Sequence, residues 1–112
     1  MKRIAYIAYW NDSPASGVFK KIRTQASAWR ALQGLEVGLF ILTRNERLYA
    51  SKDEHEQIFY FQGGIVERMH ALQRLIDAVR SSTPDVIYLR FMPFLPPLGD
   101  LHEIAPVVLE VN

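Results

Sequence analysis

The sequence predicts an α/β fold in three layers, with helices on both faces of a mainly parallel sheet. Two observations carry that expectation. Residues 4–9, 35–42, 86–89 and 106–109 are short apolar runs without the polar alternation of a half-exposed antiparallel strand, the kind of segment that suits a strand covered on both faces. Between them lie segments whose apolar residues recur at helical spacing, so strand and helix alternate along the chain.

Ile4 to Tyr9 is a β-favouring run that stops at the turn cluster Asn11-Asp12-Ser13-Pro14-Ala15-Ser16-Gly17. From Val18 the period changes. Val18, Ile22, Ala26 and Trp29 share one helical stripe, flanked by Phe19 and Leu32, while Lys20, Lys21, Arg23, Gln25 and Arg30 are assigned to the opposite face. Gly34 ends this helix, and Leu35 to Leu42 supply the second strand. A charged loop over residues 43–56 leads to a third, peripheral strand at Ile58 to Phe61. After Gly63-Gly64, the residues Ile65, Met69, Leu72, Ile76 and Val79 repeat at spacings of four and three, which predicts a core-facing helix ended by Ser81-Ser82-Thr83-Pro84. Asp85 to Arg90 is the fourth strand. The proline-rich residues 91–97 are too rigid for a helix interior, a short helical turn follows at residues 98–104, and Pro106 to Leu109 form a fifth strand covered on both faces. Crossovers of this kind predict a Rossmann-like half with strand order 3-2-1-4-5.

At 112 residues, the chain fits one domain with one core. Its 13 basic and 12 acidic residues nearly cancel, yet residues 1–50 hold eight Lys/Arg against three Asp/Glu and residues 51–112 hold five against nine. The basic half suits an anion, although solvated helix faces produce the same asymmetry. Nucleic acid is disfavoured, because no Lys/Arg run exceeds two and the aromatics sit mostly in apolar runs. The absence of cysteine removes disulfides and thiolate metal sites, and the three histidines, His55, His70 and His102, share no metal-ligand spacing. No segment approaches the roughly 20 apolar residues that span a bilayer. The apolar stretch after Met1-Lys2-Arg3 breaks too early for a signal peptide, so a cytoplasmic location is expected.

In an open parallel sheet, ligands bind beyond the carboxyl ends of the strands, where the strand order reverses. That rule selects Trp10, Asn11, Asp12, Ser13, Ser16 and Gly17 after strand one, Thr43 and Arg44 after strand two, Arg90 after strand four, and Glu110 and Asn112 at the end of strand five. The small residues of the first loop let a ligand approach the backbone, and the helix start behind them favours an anion; an ordinary N-cap at Ser16 explains the same residues. Lys20, Lys21 and Arg23 in the first helical turns oppose the helix dipole unless an anion or an acid such as Asp12 lies nearby. Glu110 is either a cleft carboxylate or a solvent-facing strand end, with Arg90 as its candidate partner. A Walker loop, a nucleophile elbow and the G-x-G-x-x-G spacing of nicotinamide-binding domains are all absent, and Asp12 alone does not make the acidic cluster of a receiver domain.

The block Ser16-Gly17-Val18-Phe19-Lys20-Lys21-Ile22, Gly34 with Val37, the block Pro84-Asp85-Val86-Ile87-Tyr88-Leu89-Arg90, and the run from Pro106 through Glu110 to Asn112 resemble, in order and spacing, the N-terminal domain of family 4 (group 1) glycosyltransferases. Those enzymes set two Rossmann-like domains across a cleft, the GT-B arrangement, and transfer sugar from a nucleotide donor with retention. The resemblance spans nearly the whole chain and implies that residues 1–112 are an acceptor-side domain, one half of the GT-B architecture and a fragment of a longer chain. Its implied partners are a C-terminal donor-binding domain that would hold the nucleotide-sugar, and a sugar or lipid-linked acceptor, with the full-length protein peripheral to a membrane. By resemblance Ser16 and Gly17 match a flexible small-residue loop beneath the cleft, and Arg90 and Glu110 its facing strand ends; with Lys20 of the first helical turns they are the candidate acceptor- or phosphate-binding residues. Catalytic residues are not assigned, no metal or cofactor is implied for the 112 residues, and the chain alone is expected to be inactive. A cleft face missing its other wall would expose Trp10, Phe91, Met92 and Phe94 and favour self-association. The alternative is a non-catalytic Rossmann-like binding or interaction module.

Overall fold

Five parallel strands, in the spatial order third, second, first, fourth and fifth, form the middle layer of the molecule. The computed structural model describes residues 2–11, 17–47, 56–90 and 96–110. The strands are β1 (Arg3–Tyr9), β2 (Glu36–Thr43), β3 (Glu56–Tyr60), β4 (Val86–Arg90) and β5 (Val107–Glu110). Helix α1 (Gly17–Gln33) joins β1 to β2, and α2 (Ile65–Ser82) joins β3 to β4. A 3-10 turn (Pro96–Asp100) runs into the single-turn helix α3 (Leu101–Ile104) before β5. This is the Rossmann-like α/β topology and strand order that the sequence predicts. The loop residues Asp12, Ser13 and Ser16, together with His55, Phe91, Met92, Phe94 and Asn112, lie outside the described residues.

Side chains alternate across the strands and divide the core in two. Tyr6, Ala8, Leu39, Ile41 and Ile58 face α1 and pack with its Ile22 and Ala26. Ala5, Ile7, Phe40, Leu42, Ile87 and Leu89 face the other way, against Leu72, Leu75, Ile76 and Val79 of α2 and Leu98 and Leu101 beyond it. Each such aliphatic side chain stabilises by about 1.5–3 kcal/mol when fully buried. The helices end where backbone chemistry requires it. Gly34 closes α1 at a φ of 62°, and Thr83 closes α2 in the left-handed region at 47°. Arg3 holds that second turn, donating from its guanidinium to Thr83 Oγ1 at 2.8 Å and from its backbone N–H to Asp85 at 2.8 Å.

Several local expectations need correction. Glu56 is no loop residue: it opens β3 with its side chain only 2% exposed, and Arg23 grips it with two hydrogen bonds of 2.6 and 2.8 Å. Arg23, Gln25 and Arg30 therefore do not simply face solvent. Gln25 meets Tyr6, and Arg30 donates twice to the Val37 carbonyl at 3.0 and 2.7 Å. Long polar side chains on the flank of a helical stripe can lie along the sheet and bond to it. Ile65 is 57% exposed, because the buried stretch of α2 begins only at Ala71. β5 is an edge strand, with Val108 48% and Leu109 59% exposed, so it is not covered on both faces.

Candidate functional site

Chain connections leave β1 toward β2 on one side and reach β4 on the other, so the order reverses between β1 and β4. The crevice at such a point opens at the carboxyl ends of the strands. On its α1 side, the register places Tyr6 beside Tyr88, Ala8 beside Arg90, and Arg90 beside Glu110. Partners in register share a face, so these side chains converge under α1, which contributes Gln25 and Trp29.

The lower part of this cluster is aromatic. Tyr6, Trp29 and Tyr88 meet with ring centroids 5.1–5.5 Å apart, in the tilted and edge-on arrangements that ring quadrupoles favour. Its upper part is polar. Arg90 Nη1 donates to the Tyr6 hydroxyl at 3.2 Å and to Gln25 Oε1 at 3.4 Å, while the Tyr6 hydroxyl donates to Gln25 Oε1 at 3.1 Å. Arg90 Nε stands 3.1 Å from Glu110 Oε2, both atoms shut off from water. That contact is electrostatic more than a well-aligned hydrogen bond. Small, fully buried Ala8 opposite Arg90 leaves room for the guanidinium to lie across β1.

Burial pushes the Tyr6 hydroxyl above its ordinary value of 10.0, and Arg90, through hydrogen bond and charge, draws it partly back. Tyr6 is therefore a neutral donor near pH 7. With the Arg90 charge already met by Glu110, the cluster is suited to orienting a ligand at the strand ends, not to moving protons.

Across the sheet, the strand ends are tied together. Asn11 Oδ1 accepts the Arg44 N–H at 2.7 Å, and Asn45 Nδ2 donates back to the Asn11 carbonyl at 3.2 Å. Trp10 N–H to the Leu42 carbonyl and Phe61 N–H to the Thr43 carbonyl, each 3.1 Å, carry the ladders one residue past the strands. Asn11 thus fixes the exits of β1 and β2 against each other.

The residues selected from sequence fare unequally. Arg90 and Glu110 are brought together as partners. Gly17 is the exposed first residue of α1, with open space where a Cβ would project. Lys20 is exposed and makes no hydrogen bond or ion pair among the described residues. Ser16 lies outside them. Tyr6, Gln25, Trp29 and Tyr88 were not selected, although two-residue spacing in β1 and β4 puts 6 with 8 and 88 with 90 on one face. Gln25 and Trp29, four apart, lie one above the other on α1. Among the described residues, no group of three or more His, Asp or Glu is placed to hold a metal ion, and no helix is long and apolar enough to cross a membrane.

No protein-family model, curated protein or solved structure matches this chain. Fold and crevice define its class: a Rossmann-like α/β domain whose strand-order reversal carries an arginine–carboxylate pair.

Proposed function

We propose that the chain is the acceptor-side, N-terminal half of a retaining glycosyltransferase of the GT-B kind, working with a second domain that binds a nucleotide-sugar donor. The observation that carries this reading is the joining of Arg90 and Glu110 at the crevice, 3.1 Å apart. They end the two strand blocks that most resemble the family. The strand order 3-2-1-4-5 supports it as well, since it opens the crevice between β1 and β4. In this reading Arg90, Glu110 and the small-residue loop ending at Ser16 and Gly17 orient an acceptor sugar, free or lipid-linked, with Lys20 beside them. The donor domain supplies the charge stabilisation for the departing nucleotide diphosphate.

A panel of ligands titrated into the 112-residue chain tests the division of labour. Saturation-transfer NMR should detect simple sugars and sugar phosphates, with signals weakened in Arg90→Ala, while calorimetry with nucleotide-sugars should give no tight site. Sub-micromolar binding of a nucleotide-sugar would overturn the assignment of this half to the acceptor.

One observation favours a second reading, a non-catalytic Rossmann-like binding module: the Arg90 charge is already met by Glu110, and its Nη1 by Tyr6 and Gln25, within the chain. Uniform failure of every sugar in the panel, with a folded chain, would select it.

A further inference from the structure

A second cluster of charge stands on the α2 side of the strand ends, apart from Arg90 and Glu110. Here Tyr9 of β1 and Phe61, just past β3, meet edge to face with centroids 6.3 Å apart. A guanidinium lies over each ring: Arg44 is 5.4 Å from the centroid of Phe61, and Arg68 is 5.8 Å from that of Tyr9. The rings hold both cations by cation–π attraction and limit the rotamers they can adopt. Arg44 also donates to the Gly63 carbonyl. Between them lies a cavity of 170 Å³ lined by Arg44, Phe61, Gly64, Ile65 and Arg68.

Neither cation has an acidic partner among the described residues, whereas Arg3, Arg23, Arg80 and Arg90 each have one. The Arg68 side chain makes no hydrogen bond there, and its Nε is buried without an acceptor. A buried, unmet donor of this sort costs about 1–3 kcal/mol, more when charged, unless something else accepts from it. The two like charges on one cavity also repel each other. The acid in the first turn of α2, Glu67, is already engaged with the Gly64 N–H at 2.9 Å as the helix cap, and it pairs with neither guanidinium. A ligand with several acceptor oxygens and negative charge answers both deficits, and forked guanidiniums suit tetrahedral oxyanions in particular. Since a water needs about 10–15 Å³ of such space, the cavity admits an ion of phosphate size with part of its hydration.

We propose that the cavity between Arg44 and Arg68 is a binding site for a phosphate group, free or borne on a larger ligand. The site stands whether or not the chain serves sugar transfer. Titration of the ¹⁵N-labelled chain with inorganic phosphate, at ionic strength held constant with chloride, tests it. Gly64 and Ile65 amide signals and the Arg68 Nε–H signal should shift and saturate. Arg44→Gln or Arg68→Gln should each weaken binding by about tenfold or more, the worth of one charge-assisted contact. Arg80→Gln, at the far end of α2, should leave it unchanged. Shifts that rise without saturating, or that survive in both glutamine variants, would overturn the site. If Arg68→Gln fails to fold, exposed Arg44 carries the comparison.

Phosphatidylcholine vesicles containing phosphatidic acid identify the source of the phosphate. Vesicle binding that inorganic phosphate displaces supports the site with a lipid headgroup as ligand. Saturable phosphate binding without vesicle binding supports it with a soluble one. Vesicle binding that ignores inorganic phosphate, in a chain that shows no saturable titration, overturns the pocket in favour of a diffuse basic surface.

Discussion

Arg90 and Arg68 stand at the same end of one sheet, on opposite faces, in opposite electrostatic circumstances. Arg90 is set among Glu110, Tyr6 and Gln25, its charge met by a carboxylate and its Nη1 by two oxygens. Arg68 lies over Tyr9 with a buried Nε that meets no acceptor, beside an Arg44 that also lacks a carboxylate among the described residues. Arg23, clamped onto buried Glu56, belongs with Arg90. The contrast separates two uses of the same side chain. A guanidinium matched within the chain contributes mainly to the fold, and its removal strands a charge. One left unmatched contributes little to the fold and has binding capacity to spare.

Breaking this contrast begins with the largest effect. Arg23→Ala should cost about 3 kcal/mol in urea unfolding, because it leaves the Glu56 carboxylate buried without its bidentate partner. The double change Arg23→Met with Glu56→Leu should recover most of that loss, since it removes both charges. At Glu110→Gln the cost should fall to about 1–2 kcal/mol, as the amide keeps the shape and polarity of the contact with Arg90 but no longer neutralises it.

Tyr6→Phe should cost about 1 kcal/mol through the lost hydroxyl bonds to Gln25 and Arg90. It also has a pH signature. Burial raises the folded-state pKa of Tyr6 above the unfolded value of 10.0, so the folded chain holds that proton more tightly than the unfolded one. The associated stability is fully present below pH 10.0 and is lost as pH rises through the folded value. Melting temperatures measured from pH 8 to 11 should therefore fall more steeply in the wild type than in Tyr6→Phe. The smallest stability effect belongs to Arg44→Gln, about 0.5 kcal/mol, the worth of an exposed cation–π contact.

Legibility in the sequence followed the same division. Continuous apolar runs marked β1, β2 and β4, because residues covered on both faces need no polar alternation. The pairing of Arg90 with Glu110 was legible too, once both ended adjacent strands. Glu56 was hidden among the charges of residues 52–56, and only the register of β3 with β2 turns it inward beneath Arg23. Gln25 and Arg30 were hidden because helical periodicity sorts residues by polarity and ignores how far a side chain reaches. Ile65 misled for the reverse reason: it continues the apolar stripe of α2 in sequence, but the buried part of that stripe begins at Ala71. Arg44 is legible as a strand-end residue, but Arg68 sits inside a helix and meets it through the Tyr9–Phe61 pair.

The division between matched and unmatched arginines is tested most directly by melting temperature with and without inorganic phosphate, in the wild type, Arg23→Ala and Arg68→Gln. Arg23→Ala should melt well below the wild type yet gain as much from phosphate, whereas Arg68→Gln should melt close to the wild type and gain much less. Equal gains in the wild type and Arg68→Gln, or a loss of stability in Arg68→Gln as large as in Arg23→Ala, would contradict it.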